Sequence, residues 1–159
     1  MNMSLSSSAQ KIQDVLNNLG YDYTVIEFDK STRTAEEAAT RVGCEVGQIV
    51  KSLIFKGKKT GKAILILTSG ANRVAVKGIG VYAKEKIGRA DPDYARARSG
   101  FSIGGIPPLG HIHPIETYID EDLLAFDEIW AAAGTPNSVF KMKSKDLSEM
   151  TGGKIIRVK

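Results

Sequence analysis

Two stretches of this 159-residue chain hold residue types that could do chemistry together. The first, Val50-Lys51-Ser52-Leu53-Ile54-Phe55-Lys56, reads as a strand, and alternation puts Lys51 on the face of Leu53 and Phe55 with Ser52 and Ile54 opposite. A lysine aligned with apolar neighbours has two readings. It can snorkel from the strand end while its stem packs. Or it is a partly desolvated cation at the mouth of a pocket, able to hold a phosphate or sugar hydroxyl or to offset charge developing on a carbonyl oxygen. The second stretch is Gly100-Phe101-Ser102-Ile103-Gly104-Gly105-Ile106-Pro107-Pro108-Leu109-Gly110-His111. Gly104 and Gly105 lack a Cβ, so a ligand can approach their amides, and Pro107 and Pro108 stiffen the way out of the turn. A stiff loop with open N–H donors suits an acyl oxygen, although a tight structural corner has the same composition.

Other patterns fit their chemistry less well. Gly100-Phe101-Ser102-Ile103-Gly104 satisfies the G-x-S-x-G form of a nucleophile elbow, but a strand must precede the serine and here residues 94–98 read as helix. No acid lies between Ser102 and His111, so the required order of acid then histidine is missing. Gly78-Ile79-Gly80-Val81-Tyr82-Ala83 resembles a pyrophosphate-binding turn after a short strand at residues 74–76, yet only about two helical turns fit before Gly88. Gly57-Lys58-Lys59-Thr60-Gly61-Lys62 lacks a spacer residue and the closing hydroxyl of a phosphate-binding loop, and reads as a basic hairpin tip. His111 and His113 alternate and would share a side of an extended segment, but two histidines without a third ligand make a poor zinc site, and no metal is expected.

The elements that must position Lys51 and the glycine loop follow from periodicity and punctuation. Ser7 or Ser8 caps a helix with apolar Ile12, Val15, Leu16 and Leu19, stopped by Gly20. Residues 23–28 read as a strand. Thr34 with Glu37 opens a helix through Val42 that Gly43 ends. Residues 50–55 and 63–68 form a hairpin, and Asp91-Pro92 starts another helix. Further strands are expected at 117–119, 128–132 and 155–158, and a short helix at 144–150 ended by Gly152. Strands outnumber long helices and short turns join several of them. The expected fold is therefore α/β of the α+β type, a mixed and mostly antiparallel sheet flanked by helices.

Composition bounds the rest. With 42% hydrophobic and 25% charged residues the chain reads as one globular domain over residues 1–159, long enough for a core without cross-links. The single Cys44 rules out an internal disulfide. Residues 1–8 lack the basic and apolar regions of a secretory signal, and residues 63–67 are too few to cross a bilayer, so a cytoplasmic address and no membrane contact are expected. Residues 51–98 carry 12 basic and 3 acidic side chains, whereas the flanking thirds carry 4 against 7 and 6 against 8. Folded onto one face, that excess would attract a polyanion by counterion release.

The residues in these two stretches, with Ala90-Asp91-Pro92 and a late Gly134, resemble the YbaK/EbsC-like aminoacyl-tRNA deacylases, relatives of the editing insertion domain of bacterial prolyl-tRNA synthetase. The resemblance covers nearly the whole chain. It implies a freestanding domain with a partly barrel-like sheet that hydrolyses an amino acid wrongly esterified to tRNA, with no metal, no cofactor and no covalent nucleophile. By that resemblance Lys51 stands at the essential lysine and residues 104–108 at a G-x-x-x-P loop. Lys51, Gly104 and Gly105 are the catalytic candidates. Ser52, Ile106, Pro107, Pro108, His111, Gly134 and Ser138 are the substrate-binding ones, and Lys56, Lys58, Lys59 and Lys62 the tRNA-binding ones. The implied partner is the acceptor end of an aminoacyl-tRNA, with a synthetase or elongation factor as a further candidate, and the oligomeric state is left open. The cysteinyl-tRNA-specific branch follows its late glycine with a Gly-Leu-Asp-Ile-Glu-like segment. Here Thr135-Pro136-Asn137-Ser138-Val139-Phe140 follows Gly134, which points to another small residue such as alanine, 2-aminobutyrate, serine or threonine. A binding module of the same fold without chemistry is the alternative.

Overall fold

The computed structural model describes residues 4–32 and 34–159. Its centre is β3 (Ala63–Ser69), seven residues that are all buried. The run Ala63-Ile64-Leu65-Ile66-Leu67 is apolar on both faces, as a strand covered on both sides must be. Leu65 and Leu67 enter the larger core with α1 (Ser7–Asn18), while Ile64 and Ile66 pack with Ile79 and Ala83 of α3 (Val76–Ala83) on the other side. The sheet therefore lies between helical layers. Ser6, rather than Ser7 or Ser8, caps α1, its hydroxyl accepting from the Ala9 amide.

Among the described residues eight strands form one sheet in the order β1-β7-β6-β2-β3-β5-β8, with β4 also on β2. These are β1 (Val25–Glu27), β2 (Ile49–Gly57), β3, β4 (Ile87–Arg89), β5 (Glu116–Asp120), β6 (Glu128–Ala132), β7 (Ser138–Lys143) and β8 (Lys154–Ile156). β1–β7, β2–β3, β2–β4 and β6–β7 are antiparallel. β2–β6, β3–β5 and β5–β8 are parallel. The sheet is thus mixed and mostly antiparallel, as expected, with four antiparallel pairings against three parallel ones and the longest ladder, β2–β3, antiparallel.

The remaining helices follow their punctuation. α2 (Ala35–Val42) begins where the Thr34 hydroxyl accepts from the Glu37 amide and stops at Gly43 with φ of 78°. α4 (Pro92–Ser99) starts from Asp91, whose carboxylate accepts from the Tyr94 amide, and α5 (Asp146–Thr151) ends at Gly152. Neither β4 nor β7 was expected from the residues, and residues 74–76, read as a strand, instead run into α3.

One detail of the topology makes the site. On the edge of β2 away from β3, β6 pairs only with Ile49 and Val50, and β4 only with Phe55 to Gly57. Between them, residues 51–54 have no partner strand on that edge among the described residues.

Candidate active site

That unpaired stretch of β2 forms one wall of a cavity of about 410 Å³. Its walls bring together Lys51, Ser52, Gly104, Ile106 and Ser138, five of the residues singled out from sequence. The size is that of a small-molecule pocket. α2 closes one side because Ala38 and Ala39 are small enough to let the helix settle on Ile49. Thr34, Ala35 and Glu36 from its first turn reach the cavity, and Trp130 and Val139 supply the wall from β6 and β7. None of these was anticipated from sequence. The alanine spacing in α2 was the one available signal, since it marks close approach of a helix to a strand.

Lys51 is half-buried and its Nζ donates to the main-chain oxygen of Asn72 at 3.1 Å. Leu53 packs with the second core cluster, so the apolar neighbours are real, while the ammonium turns to a carbonyl. Ser52 stands out differently. Its hydroxyl oxygen is shut off from solvent and has no hydrogen-bond partner among the described residues. A buried hydroxyl left unmatched costs about 1–3 kcal/mol.

The glycine loop divides by function. Gly104 is exposed at the cavity with φ of 95°, and no acceptor for its amide is found among the described residues. Gly105 behaves otherwise, because its amide donates to the Ser102 carbonyl at 3.0 Å and its carbonyl accepts from the Gly134 amide at 3.0 Å. The expected pair of free donors therefore narrows to the Gly104 amide, with Gly105 serving as the joint between the loop and the β6–β7 turn. Gly134, at φ of 101°, is the other half of that joint and does not line the cavity. A Cβ there would lie 2.8 Å from the Ser8 carbonyl oxygen.

Pro107, Pro108 and His111 lie away from this cavity. Pro107 is buried, and its carbonyl oxygen meets His111 Nε2 at 2.7 Å, so the neutral imidazole carries its hydrogen on Nε2. Burial holds the His111 imidazole below its usual value, as the nearby Lys11 charge does to a lesser degree, against the pull of the Pro107 carbonyl. Pro108, His111 and His113 border a second, shallower hollow of about 340 Å³. The structure thus does not bring Pro107, Pro108 or His111, read from sequence as substrate-binding, to the first cavity.

The basic hairpin sits at the far end of β2, about 23 Å along the strand from Lys51 to Lys58. Lys56, Lys58 and Lys59 are exposed. Lys56 Nζ lies 4.9 Å from the Tyr94 ring centroid, with the Arg98 guanidinium 5.2 Å from the same ring. Lys62 is different, since its Nζ is 3.0 Å from Glu116 and 3.9 Å from Glu85 and donates to the Ala83 carbonyl. It is committed to the fold and leaves the set of free cations. Glu85 also takes the Lys59 and Thr60 amides and the Thr60 hydroxyl, and those bonds, the Thr60 amide first, hold its carboxyl below the usual range.

The competing motifs find no support. Gly78 and Gly80 lie inside α3, not in a turn that could receive a pyrophosphate. Ser102 follows a helix and is exposed in a loop. Among the described residues no group of three or more His, Cys, Asp or Glu could hold a metal, and no helix is long and apolar enough to cross a membrane.

Residues 29–150 match the sequence profile of the aminoacyl-tRNA editing domain. The chain belongs to that family. It is 33% identical over 131 residues to the uncharacterized protein YwhH of Bacillus subtilis, spanning 82% of this chain and 83% of that one. It is 23% identical over 125 residues to EbsC of Enterococcus faecalis, whose name proposes a Cys-tRNA(Pro)/Cys-tRNA(Cys) deacylase, spanning 79% and 76% of the two chains. A crystal structure described as a proposed trans-editing enzyme for prolyl tRNA synthetase superposes with a TM-score of 0.92. It is 46% identical and covers 98% of this chain and 99% of its own.

Proposed function

We propose that the chain is a freestanding, cytoplasmic trans-editing hydrolase that cleaves the ester of a small amino acid wrongly attached to tRNA. The observation that carries this reading is that Lys51, Ser52 and Gly104, whose amide has no acceptor among the described residues, line one cavity. An aminoacyl ester is already activated, so orientation, an oxyanion donor and an admitted water suffice. Water adds to the ester carbonyl carbon, the developing oxyanion takes the Gly104 N–H, and the carbon–oxygen bond to the ribose breaks with a proton passing to the departing ribose oxygen. Lys51 holds the terminal nucleotide, Ser52 and Ser138 bind the bound end of the substrate, and Ile106 forms part of the wall around the side chain. No metal, cofactor or covalent intermediate is called on. Lys56, Lys58 and Lys59 hold the acceptor stem at a distance from the chemistry.

The residues after Gly134 support a small substrate other than cysteine. Thr135 Oγ1 donates to Ser138 Oγ at 2.7 Å, and Thr135, Pro136 and Ser138 form the wall beside Gly104. Alanine, 2-aminobutyrate, serine and threonine esters are the candidates. A hydrophobic pocket separates neighbours differing by one methylene by only about 1–3 kcal/mol, so the preference is a matter of degree.

The test is a deacylation panel with purified tRNAs bearing Ala, Ser, Thr, Cys and 2-aminobutyrate, with Lys51→Ala in parallel. Hydrolysis of one or more esters, lowered about 100- to 1,000-fold by the substitution, is expected from the loss of one transition-state contact. Tight tRNA binding with no hydrolysis of any ester would replace this reading with that of a binding module.

A further inference from the structure

The Lys51 ammonium is held by a carbonyl that belongs to no helix or strand. Asn72 lies just past the turn that follows β3, and its main-chain oxygen is what Lys51 Nζ donates to, at 3.1 Å. The side chain of the same residue is gripped twice. Its Nδ2 donates to Asp120 Oδ2 at 2.8 Å and to Asp122 Oδ2 at 2.8 Å, so both amide hydrogens are engaged and the orientation of the amide is fixed.

Asp120 is the anchor of this arrangement. It is 1% exposed, at the end of β5, and has no ion pair within 4.0 Å among the described residues. Hydrogen bonds replace the missing counterion. Oδ2 accepts from the Thr68 hydroxyl at 3.0 Å and the Ser69 amide at 2.9 Å besides Asn72, and Oδ1 accepts from the Asp122 amide at 2.9 Å. Thr68 is the residue directly opposite Lys51 across the β2–β3 ladder. A fully buried carboxylate is costly to keep, and its bonds converge on the short segment that carries the Lys51 acceptor.

The geometry points to Asn72 as a positioning residue for Lys51, anchored by Asp120 and Asp122 so that its carbonyl fixes the ammonium at the cavity wall. This rests on the role given to Lys51 above. One of the three ammonium hydrogens is spent on the Asn72 oxygen, and the direction of that bond sets where the other two point. With the Asn72 side chain removed, the carbonyl is still present but is no longer aimed. The ammonium then samples several orientations, and the geometry needed for the reaction is met for a smaller fraction of the time.

A double-mutant cycle separates positioning from mere support of the turn. Asn72→Ala and Asp122→Ala are each made in the native chain and in Lys51→Met, and kcat and KM for deacylation of the preferred aminoacyl-tRNA are measured with melting temperatures alongside. Asn72→Ala is expected to lower kcat about tenfold with KM changed less than twofold in the native background, and to cost nothing further in Lys51→Met. Asp122→Ala, at a side chain 36% exposed and so safe for folding, is expected to repeat the pattern at about threefold. Equal fractional losses in both backgrounds, or losses that track the melting temperature, would overturn the inference while leaving the function standing. A fully active Lys51→Met would remove the reading of the site itself, and the positioning role with it.

Discussion

Two adjacent glycines make opposite demands, and replacing each with alanine should show it. Gly104 has a φ of 95°, where an alanine is strained by roughly 1–2 kcal/mol. A Cβ there meets only the Pro136 ring, at an ordinary 3.7 Å. Gly105 has no such backbone requirement, yet its Cβ would lie 2.7 Å from the Thr135 carbonyl carbon and Cα and 2.9 Å from its nitrogen. Those are main-chain atoms of the β6–β7 turn and cannot swing aside. Overpacking against an immovable wall costs about 1–3 kcal/mol or more, and the Gly134 to Gly105 hydrogen bond would be stretched with it. We expect Gly105→Ala to lose about 3 kcal/mol and Gly104→Ala about 1. At roughly 2–4 °C per kcal/mol for a chain of this size, the melting temperatures should fall by about 6–12 °C and 2–4 °C. Thermal unfolding followed by circular dichroism reads the difference, and deacylation measured well below the transition shows whether the cavity survives. Gly104→Ala as the more damaging of the pair would refute the claim that Gly105 is the joint between loop and turn.

Other expectations follow from the same geometry. Neutralising Lys56, Lys58 and Lys59 together should weaken tRNA binding and reduce the slope of log affinity against log salt by about 2–3, whereas an unchanged slope would return the hairpin to simple solvation. Lys62→Ala alone should lower the melting temperature by a few degrees at most and leave that slope nearly untouched, because the ammonium is occupied by Glu116 and Glu85. His111 is held below its ordinary 6.5 chiefly by burial, so below that pH the unfolded chain takes up a proton that the folded one resists. Its contribution is complete above that pH and drains away as pH falls toward the folded value. Melting temperatures measured between pH 7.5 and 5.5 should decline less steeply in His111→Gln than in the native chain, and parallel curves would contradict the assignment.

What could be read in the residues divides by the range of the interactions. Local rules placed α2 between Thr34 and Gly43 and α4 after Asp91, because caps and left-handed stops act within a turn. The β2–β3 hairpin was equally legible from two apolar runs around a glycine-rich tip. The Ser138–Lys143 strand was not, since its identity comes from pairing with both β1 and β6. At the site, Lys51 and Gly104 were found by type and spacing, and their meeting is tertiary. The engagement of Gly105 with Ser102, and of Lys62 with Glu116, depends on contacts that no spacing rule reports. Asn72 and Asp120 are the deepest case, 48 residues apart and joined only when β5 lies beside β3.

The stretch of β2 left bare between β6 and β4 has an evolutionary reading. Main-chain groups on that open margin are the same whatever side chains surround them, so under the proposed function an ester or ribose bound there would be held by something mutation cannot readily change. Substrate preference can then drift through the residues of α2 and the β6–β7 turn while the machinery stays put, which is how one scaffold could come to proofread several different charging errors.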